Sequence, residues 1–505
     1  MLKLRSAAGD MGIKVPDGAR SIVTGHWVLA INMAALFTIA SLAQGQSTWI
    51  RTYGGYGSDQ GRAVSATPDG GYIIAGSTGS FGVGGDMYIL KLDIDGEPEW
   101  SRNIGSGTVE KAYDVVVVND GYYLVGTASS SDGRGYEGVL VNLDFSGLTR
   151  WRRTYGTDDW DFIHSIAVTD DHLFLAGKTY GGIHGGADGW VMCTDLEGDI
   201  EWDLSIGGVD DDEFNEVLST PDGGFVAVGS KSVQGDSTDV WLVKGLANGT
   251  IEWERSTGTD GNDSGESVIR GSNGQFIVVG SSNGYSAFQE FYILSFAVDG
   301  GILWSNHIGQ ISDWEGYDIR ERSDGGLIMV GYTTSFGLGG KDVYVLRTDA
   351  SGIFEFGSTY GGSGDEVAFE LDSTLDGGFV IVGSTTTFGP GPEAVYVIRT
   401  DGQGQTESTD VSSFFDPISV DELEDREPIS VHPNPIREGG AFSLQGLGVG
   451  SHTYLIKDSA GRELVRSSPI DMFDNTVLAR FEPGIYIMML SEPKGRSRML
   501  KFLVI

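Results

Sequence analysis

Acidic residues recur at one fixed place along this chain of 505 residues, ten residues after an aromatic anchor. The recurring acids are Asp59, Glu110, Asp161, Asp212, Asp263 and Glu366. The sixth copy instead has Trp314, flanked by Asp313 and Glu315. A ring of carboxylates can attract cations or bind calcium, whereas a single carboxylate can accept backbone N–H bonds. Recurrence in nearly every copy favours the structural role, and the six acids are kept as candidate metal ligands.

Several aromatic and histidine residues depart from the repeating pattern. Those predicted to bind a ligand are Trp160, His164, Tyr285 and Trp314. Aromatic rings beside carboxylates commonly hold sugars, because the ring stacks on a C–H face; the alternative is simple loop packing. No serine elbow and no HExxH motif accompanies them, so no catalytic residue is predicted. A pair of carboxylates for glycoside cleavage stays open, since the sequence fixes no separation between acids.

A repeat of 51 residues organises most of the chain. Tryptophans stand at positions 49, 100, 151, 202, 253 and 304, and Phe356 takes the seventh place after one inserted residue. A turn signal such as Asp69-Gly70-Gly71 follows each anchor by twenty residues, and an apolar run ending in glycine comes next. Fixed periods near 50 residues indicate a solenoid or a propeller.

Each unit contains four strand candidates and no helical periodicity. In the first unit they cover residues 61–67, 71–78, 87–93 and 97–104. Four-stranded antiparallel units of this length are typical of propeller blades. The fold class predicted is therefore all-β, a seven-bladed β-propeller of about 51-residue repeats followed by a small immunoglobulin-like β-sandwich; a β-solenoid is the alternative for the repeats.

The segment Tyr88–Asp93, followed by Gly96 and Trp100, resembles the tryptophan-docking motif of quinoprotein-type propellers. The resemblance covers about fifteen residues per unit and implies that the tryptophan strand is outermost in each blade. Residues 47–53 then have no inner strands of their own, and residues 366–401 have no tryptophan strand after them. We expect the N-terminal strand to close the seventh blade, because an unpaired sheet edge promotes aggregation.

Composition excludes several classes of protein. The chain has 33 Lys and Arg against 71 Asp and Glu, a formal net charge of −38, which repels nucleic acids. The single cysteine, Cys193, excludes an intramolecular disulfide framework and a cysteine zinc cluster. It lies in the apolar strand WVMCTD and is predicted to be a buried hydrophobic residue. No cofactor is expected, and calcium is the one candidate ion.

The N-terminal segment has the pattern of an export signal. Residues 27–43 form an apolar run that follows Lys3, Arg5, Lys14 and Arg20 and ends in Ser41-Leu42-Ala43. The run is short for a membrane span, and the small residues suit a signal peptidase. We predict a signal peptide over residues 1–43 and no transmembrane segment in the mature protein; a membrane anchor is the alternative. The propeller is assigned to residues 44–401.

A polar, acidic linker is predicted for residues 402–427, and a small domain for residues 428–505. The domain resembles the type A sorting domain of type IX secretion, in which comparable motifs occur in the same order. The matching residues are Pro433, Asn434, Pro435, Gly461, Arg462, Gly484, Tyr486 and Lys501. The resemblance implies an immunoglobulin-like sandwich that is recognised at the outer membrane and usually removed; an adhesive domain left in place is the alternative.

Together these patterns predict an exported, secreted or cell-surface β-propeller, delivered by the type IX machinery, that serves as a non-catalytic binding scaffold. Its expected partners are the secretion machinery and an extracellular glycan or surface protein. Nearly uniform blades favour this role, because uniform blades provide no asymmetric catalytic site. The alternative is a secreted polysaccharide-degrading hydrolase of endoglucanase-like type.

Overall fold

A computed structural model describes the chain from Ser47 onwards, with gaps. The described residues are 47–82, 84–130, 135–182, 185–233, 237–309, 312–406, 410–415, 420–421, 430–432, 441–445, 453–458, 463–466, 476–478, 484–491 and 497–504. The predicted signal peptide lies outside them. So do five residues of the predicted sorting signal: Pro433, Asn434, Pro435, Gly461 and Arg462. Within the described ranges there is no helix, and hence none long and apolar enough to span a membrane.

Seven antiparallel sheets form the seven blades of the predicted propeller, numbered here in chain order. The innermost strands of blades 1 to 7 are Asp59–Ala66, Glu110–Val118, Asp161–Val168, Glu213–Ser219, Asp263–Arg270, Trp314–Glu321 and Glu366–Ser373. The second strands are Tyr72–Thr78, Gly121–Ser129, Leu173–Thr179, Phe225–Val233, Phe276–Ser282, Leu327–Thr333 and Phe379–Thr385. The third strands are Asp86–Leu92, Tyr136–Asp144, Asp188–Thr194, Ser237–Gly245, Glu290–Phe296, Asp342–Thr348 and Ala394–Thr400.

The outermost strands carry the aromatic anchors, as the predicted strand order requires. In blades 1 to 6 they are Pro98–Ile104, Thr149–Tyr155, Ile200–Ile206, Ile251–Thr257, Ile302–Ile308 and Phe354–Tyr360. The N-terminal strand Trp49–Gly54 is the outermost strand of blade 7, where it pairs antiparallel with Ala394–Thr400. The two ends of the repeat region therefore close the ring together, and the prediction of seven blades closed by the N-terminal segment is confirmed.

Each anchor tryptophan packs on the next blade along the ring. Gly96 lies in the turn before the outermost strand of blade 1, and a Cβ added to it would lie 2.6 Å from the Trp49 ring of blade 7. Gly147 has the same relation to Trp100. These glycines also have positive φ, 78° at Gly96 and 80° at Gly147, which a side chain would strain. Glycine is thus required at this turn for two reasons, the close contact with the ring and the positive φ. This explains why a glycine precedes each anchor tryptophan of the later blades at a fixed distance in the sequence.

Blades bury both of their faces, because each sheet packs between two neighbours. In the second strand of blade 1, Ile73 and Ile74 point to opposite faces, and both are fully buried. The two residues belong to different apolar clusters, one shared with blade 2 and the other with blade 7. The central part of this strand is therefore continuously apolar rather than alternating, as the run YIIAG shows.

Part of the stretch predicted as a linker extends two blades. Val411–Phe415 adds a fifth strand to blade 7, parallel to Trp49–Gly54, and Phe414 stacks on Tyr53 at 5.5 Å between ring centroids. Val420–Asp421 pairs in parallel with the outermost strand of blade 1. The acidic composition suggested a solvated segment throughout, but the outer edge of a blade offers free backbone groups to any extended segment.

The C-terminal region contains two small antiparallel sheets. One consists of the strands Ser430–His432, Ala441–Gln445 and Thr476–Leu478. The other consists of the strands Thr453–Asp458, Glu463–Arg466, Gly484–Ser491 and Ser497–Val504. Three predicted sorting residues, Gly484, Tyr486 and Lys501, belong to the paired strands of the second sheet. The predicted sandwich packing of this tail remains an expectation.

Candidate functional site

The recurring acids lie buried at the start of the innermost strands. Their exposed fractions are between 0 and 2%. Asp161 accepts the backbone N–H of Thr157 at 2.6 Å and the hydroxyl of Thr179. Asp212 accepts the N–H groups of Gly208 at 2.5 Å and Ser232 at 2.7 Å. Each of these carboxylates thus ties the loop that enters a blade to that blade's second strand or the loop after it.

The central channel is lined by residues that differ from blade to blade. Each innermost strand has a β-bulge thirteen residues after the anchor, between positions such as Gly61 and Ala63. The bulged residues of blades 1 to 7 are Arg62, Tyr113, His164, Asn215, Glu266, Tyr317 and Phe369. An extra residue in a bulge re-aims its side chain, and here it leaves one half-buried side chain per blade toward the channel.

Neighbouring bulge residues contact one another around the channel. The Arg62 guanidinium lies 3.9 Å from the centroid of the Phe369 ring, and Tyr317 lies 5.6 Å from the same ring. Tyr113 meets His164 edge to face at 5.5 Å. These contacts cross from one blade to the next and join five of the seven bulge residues. We call the layer of seven bulge residues the channel ring.

Burial shifts the pKa values of two residues of the channel ring, Glu266 and His164. It raises the pKa of the Glu266 carboxyl to about 7, although a hydrogen bond from Ser264 acts in the opposite direction. Nearby Glu213 and Glu315 add to the increase through charge repulsion. Burial also lowers the pKa of the His164 imidazole. The layer therefore favours neutral forms of both groups.

A second layer of acids sits next to the channel ring and links the blades. Asp114, Glu216, Asp318 and Glu370 accept backbone N–H groups from the next blade, those of Ile166, Val268, Leu371 and Val64 respectively. Arg320 lies among these acids, 2.6 Å from Asp318 and 3.5 Å from Glu370. Because each of these acids accepts a backbone N–H from the next blade, we regard this layer as a structural link between blades rather than a ligand site.

The four predicted ligand-binding residues fall into two separate groups. Trp160 is 48% exposed and lies in an aromatic cluster with Tyr136 and Tyr180. Phe162 joins that cluster to His164, which belongs to the channel ring. Tyr285 and Trp314 instead lie near His307, on the far side of the ring. His184, the further histidine that departs from the repeat, lies outside the described residues.

A cavity of about 320 Å³ opens in the crevice between blades 5 and 6. Its lining residues are Asn306, His307, Ile308, Gly309, Trp314, Gly352, Ile353 and Phe354. We call this cavity the blade 5–6 crevice. Ile353 and Phe354 are 56% and 50% exposed, so the apolar wall is open to solvent.

Two residues, Ile308 and Trp314, distinguish this crevice from the other blade junctions. At the end of the outermost strand of blade 2, Tyr155 reaches across to blade 3 and donates its hydroxyl to the Gly198 carbonyl at 2.7 Å. Tyr360 makes the equivalent contact with Gly404 at 2.9 Å. Blade 5 has Ile308 at this position, which is too short to reach Gly352 as a tyrosine would. Blades 1 and 3 also have isoleucine there, but a buried acid follows in the next blade, whereas Trp314 follows Ile308 and lines the cavity.

Polar groups at the rim of the crevice are held in fixed positions. His307 stacks on Tyr285 with ring centroids 3.8 Å apart and an angle of 4° between the ring planes. His307 Nδ1 lies 2.6 Å from the buried carboxylate oxygen Oε2 of Glu290. With a proton on Nδ1, the neutral imidazole leaves Nε2 as a hydrogen-bond acceptor. The crevice thus combines an apolar wall with an oriented imidazole, an arrangement that can bind a sugar or another amphipathic ligand.

Sequence reasoning identified only His164 of the channel ring and only Trp314 among the residues that line the crevice. The signal for the channel ring was present, since position 13 after each anchor carries a different side chain in almost every repeat. His307 and Glu290 gave no signal as a pair, because their proximity depends on strand register. Ile308 is not distinguished by alignment alone, because blades 1 and 3 have isoleucine at the same position.

No protein-family model matches this sequence, and neither does any curated protein. Solved structures that resemble the fold are distant. Puromycin hydrolase is 12% identical, with 86% of this chain and 59% of the hydrolase covered and a TM-score of 0.47. The extracellular domain of a putative one-component system from B. thetaiotaomicron is 12% identical, with 88% and 57% covered and a TM-score of 0.39. A protein of unknown function from Bacteroides caccae is 11% identical, with 57% and 94% covered and a TM-score of 0.37. The assignment of the propeller rests on strand topology, not on these similarities.

Proposed function

We propose that this protein is an exported, non-catalytic β-propeller that binds an extracellular carbohydrate in the blade 5–6 crevice. The observation that supports the proposal is the pair of residues found at this one junction. Trp314 stands where the other blades have a buried acid, and the short Ile308 stands where blades 2, 6 and 7 have a tyrosine that reaches the next blade. Blades 1 and 3 also have an isoleucine at the position of Ile308, but there a buried acid follows it instead of a tryptophan.

The chemistry of the crevice suits a sugar ring. The exposed faces of Ile353 and Phe354 can cover the C–H face of a sugar, and desolvating both surfaces favours binding. His307 can accept a hydrogen bond from a hydroxyl group while Glu290 and Tyr285 hold its ring in place. A fixed polar group at the edge of an apolar wall gives orientation to a ligand that the wall alone would bind weakly.

Export is supported by the two ends of the sequence. The basic and apolar N-terminal segment fits a signal peptide, and the tail resembles a type IX sorting domain. The high negative charge of the chain disfavours nucleic acids and anionic membranes as partners. A role outside the cell, on glycans or surface polymers, agrees with all three features.

The binding proposal is tested with the full chain on a glycan array and in affinity electrophoresis with soluble polysaccharides. Ile308→Tyr should fill the crevice and abolish binding, because the new hydroxyl can reach the Gly352 carbonyl. Ile302→Tyr is the matched control, since Ile302 lies on the same strand, is 53% exposed and does not line the cavity. Equal glycan binding by parent and Ile308→Tyr, or no binding by the parent, would refute the proposed site.

The non-catalytic role is tested by incubating the same preparations with chromogenic polysaccharides. We expect no release of soluble product by the parent. Release by the parent that disappears in Glu266→Gln would instead support a hydrolase working in the channel. Export is tested by fractionating a host with type IX secretion; a chain truncated after Glu427 should stay inside the cell, and undiminished surface delivery would contradict the proposal.

A further inference from the structure

A buried cation is held in the same place in several blades, at the edge where the tight turns lie. In blade 4, Lys244 lies on the third strand opposite the anchor Trp253 and is 5% exposed. Its ammonium group is 2.7 Å from Asp222 and is also paired with Glu252, the residue before the tryptophan. A buried ammonium needs such partners, because burying an unpaired charge is costly.

Blade 1 repeats this arrangement with the same residue types. Lys91 lies opposite Trp100 and is 3% exposed. Its ammonium group lies 3.0 Å from both Asp69 and Glu99. In blade 6, Arg347 takes the place of the lysine and pairs with Glu355 at 3.4 Å. A glutamate before the anchor thus goes together with a cationic residue on the neighbouring strand.

Blade 3 keeps the glutamate but has lost the cation. Glu201 precedes the anchor Trp202, and the residue opposite that tryptophan is Cys193. The turn that supplies Asp222 in blade 4 is one residue shorter here and brings His172 to the site instead. Blades 2 and 5 also lack the cation, but they have Arg150 and Leu303 in place of the glutamate. Among the seven blades, only blade 3 retains the carboxylate without a basic residue opposite the anchor.

The three side chains that meet in blade 3 are metal-binding types at metal-binding distances. His172 Nδ1 lies 3.2 Å from Glu201 Oε2, and Cys193 Sγ lies 3.8 Å from the same oxygen. All three ligand atoms lie within 4.8 Å of one another. Ligands at about 2.0 and 2.3 Å from a tetrahedral zinc ion are about 3.5 Å apart, so only small side-chain movements are needed.

The imidazole has room for a better-aligned partner. His172 Nδ1 is shielded from solvent, and its 3.2 Å contact with Glu201 does not have the geometry of a hydrogen bond. The backbone of His172 is fixed, because its N–H donates to the Thr169 hydroxyl at 2.9 Å and its carbonyl accepts from the Thr169 N–H. Glu201 and His172 are partly exposed, which gives an ion a path to the buried thiol.

We propose that His172, Cys193 and Glu201 bind a divalent ion of borderline softness, such as zinc, which takes the place of the lysine ammonium found in blades 1 and 4. Imidazole, thiolate and carboxylate are the ligands that zinc prefers, and three of them leave a fourth position for water. On binding, the Cys193 thiol loses its proton to the buffer, and the thiolate coordinates the ion. The site is separate from the blade 5–6 crevice and does not depend on the proposed carbohydrate binding.

The test uses zinc and cobalt with the full chain. Equilibrium dialysis should give one tightly bound zinc per chain, and cobalt should produce a thiolate-to-metal charge-transfer band that carboxylates alone cannot give. Cys193→Ser should lose the band, and His172→Ala should weaken zinc binding at least tenfold. Glu252→Gln, at the equivalent place in blade 4, is the control and should bind like the parent.

Cys193→Lys is the sharpest variant, because it places a lysine beside the glutamate that precedes the anchor, as in blades 1 and 4. It should fold, lose tight zinc binding and no longer gain melting temperature when zinc is added, whereas the parent gains melting temperature because the ion binds only the folded state. Absence of the charge-transfer band in the parent, or equal zinc binding by parent and Cys193→Lys, would overturn the proposal. Weak binding without the band would mean only that zinc associates with surface carboxylates, and would overturn it too.

Discussion

The junction between blades 2 and 3 and the junction between blades 5 and 6 are built from equivalent strands but have different contents. At the first, Asp161 ties down the entry loop and Tyr155 closes the crevice. At the second, Trp314 replaces the acid and Ile308 leaves the crevice open. The difference teaches that the position of Asp161, an acid in six of the seven blades, holds the entry loop in place, and that a crevice opens where a tryptophan replaces this acid beside a short side chain.

The largest effect should come from opening the ring itself. Deleting residues 47–53 removes the outermost strand of blade 7 and exposes the paired edge of Ala394–Thr400. We expect an aggregating product, because a long exposed strand edge recruits other chains. Size-exclusion chromatography with light scattering measures this. A chain ending before Val411 is the control and should stay monomeric, since it leaves blade 7 with four strands like the others. A monomeric deletion variant that melts like the parent would contradict the closure.

Removing the acid of a regular junction should have the next largest effect. Asp161→Ala leaves the Thr157 N–H and the Thr179 hydroxyl without their acceptor, and stranding a buried donor costs about 1–3 kcal/mol. Urea denaturation measures the loss of unfolding free energy. Asp170→Ala, at an exposed position in the same blade, should change stability by less than about 0.5 kcal/mol.

The same acids were candidates for calcium, and chelation separates the two roles. If the carboxylates serve the backbone, a chelator should leave the melting temperature of the parent unchanged. A large decrease in melting temperature that added calcium reverses would show that the acids hold an ion, because a ligand bound only to the folded state stabilises it.

Exchanging the crevice residues should have a smaller effect. Tyr155→Phe removes the hydrogen bond to the Gly198 carbonyl and should cost about 0.5–1.5 kcal/mol. Ile308→Tyr should give blade 5 the cross-blade contact of blades 2, 6 and 7 and leave stability unchanged or slightly higher. Thermal and urea unfolding of both variants measure the change in unfolding free energy. A loss of more than about 2 kcal/mol in Ile308→Tyr would mean that the crevice cannot accept a tyrosine.

The smallest expected effect is a pH dependence in the channel ring. The folded-state pKa of Glu266 is about 7, above its usual value of 4.5. The folded state therefore binds the proton more tightly than the unfolded state, so the contribution to stability is present below pH 4.5 and is lost as the pH rises through 7. Glu266→Gln should lose less unfolding free energy than the parent between pH 5 and pH 8. Parallel losses in the two proteins would show that Glu266 does not titrate in this range.

Much of the fold could be predicted because each repeat contains residues that mark where its strands begin and end. Tryptophan, turn and apolar run recur at one period, and the strands predicted in the first unit end within two residues of Asp59–Ala66, Tyr72–Thr78, Asp86–Leu92 and Pro98–Ile104. The strand Val411–Phe415 was missed because its pairing with Trp49–Gly54 is made by backbone groups, which composition does not reveal.

The candidate sites were less predictable, since they depend on register and on side-chain length. A bulge determines which residue of an innermost strand faces the channel, and the position of a bulge cannot be recognised from the type of residue found there. Tyr285 and Trp314 were identified because they break the repeat, but His307 and Glu290 meet only through strand pairing. Cys193 was predicted to be a buried hydrophobic residue, and it is buried. Its polar neighbours were not predicted, because Glu201 lies on the adjacent outermost strand and His172 lies in the turn before the second strand.

The closing strand also sets the order in which the protein can mature. Trp49 pairs with Arg399, so the first propeller strand to leave the ribosome must wait for nearly the last one before it has a partner. Six blades can fold from local contacts, but the seventh requires a long-range encounter, which slows the final step. A chain that crosses a membrane from its N-terminus would therefore keep this strand unpaired until export of the repeats is complete, and any factor that shields it in the meantime would govern the yield of folded protein.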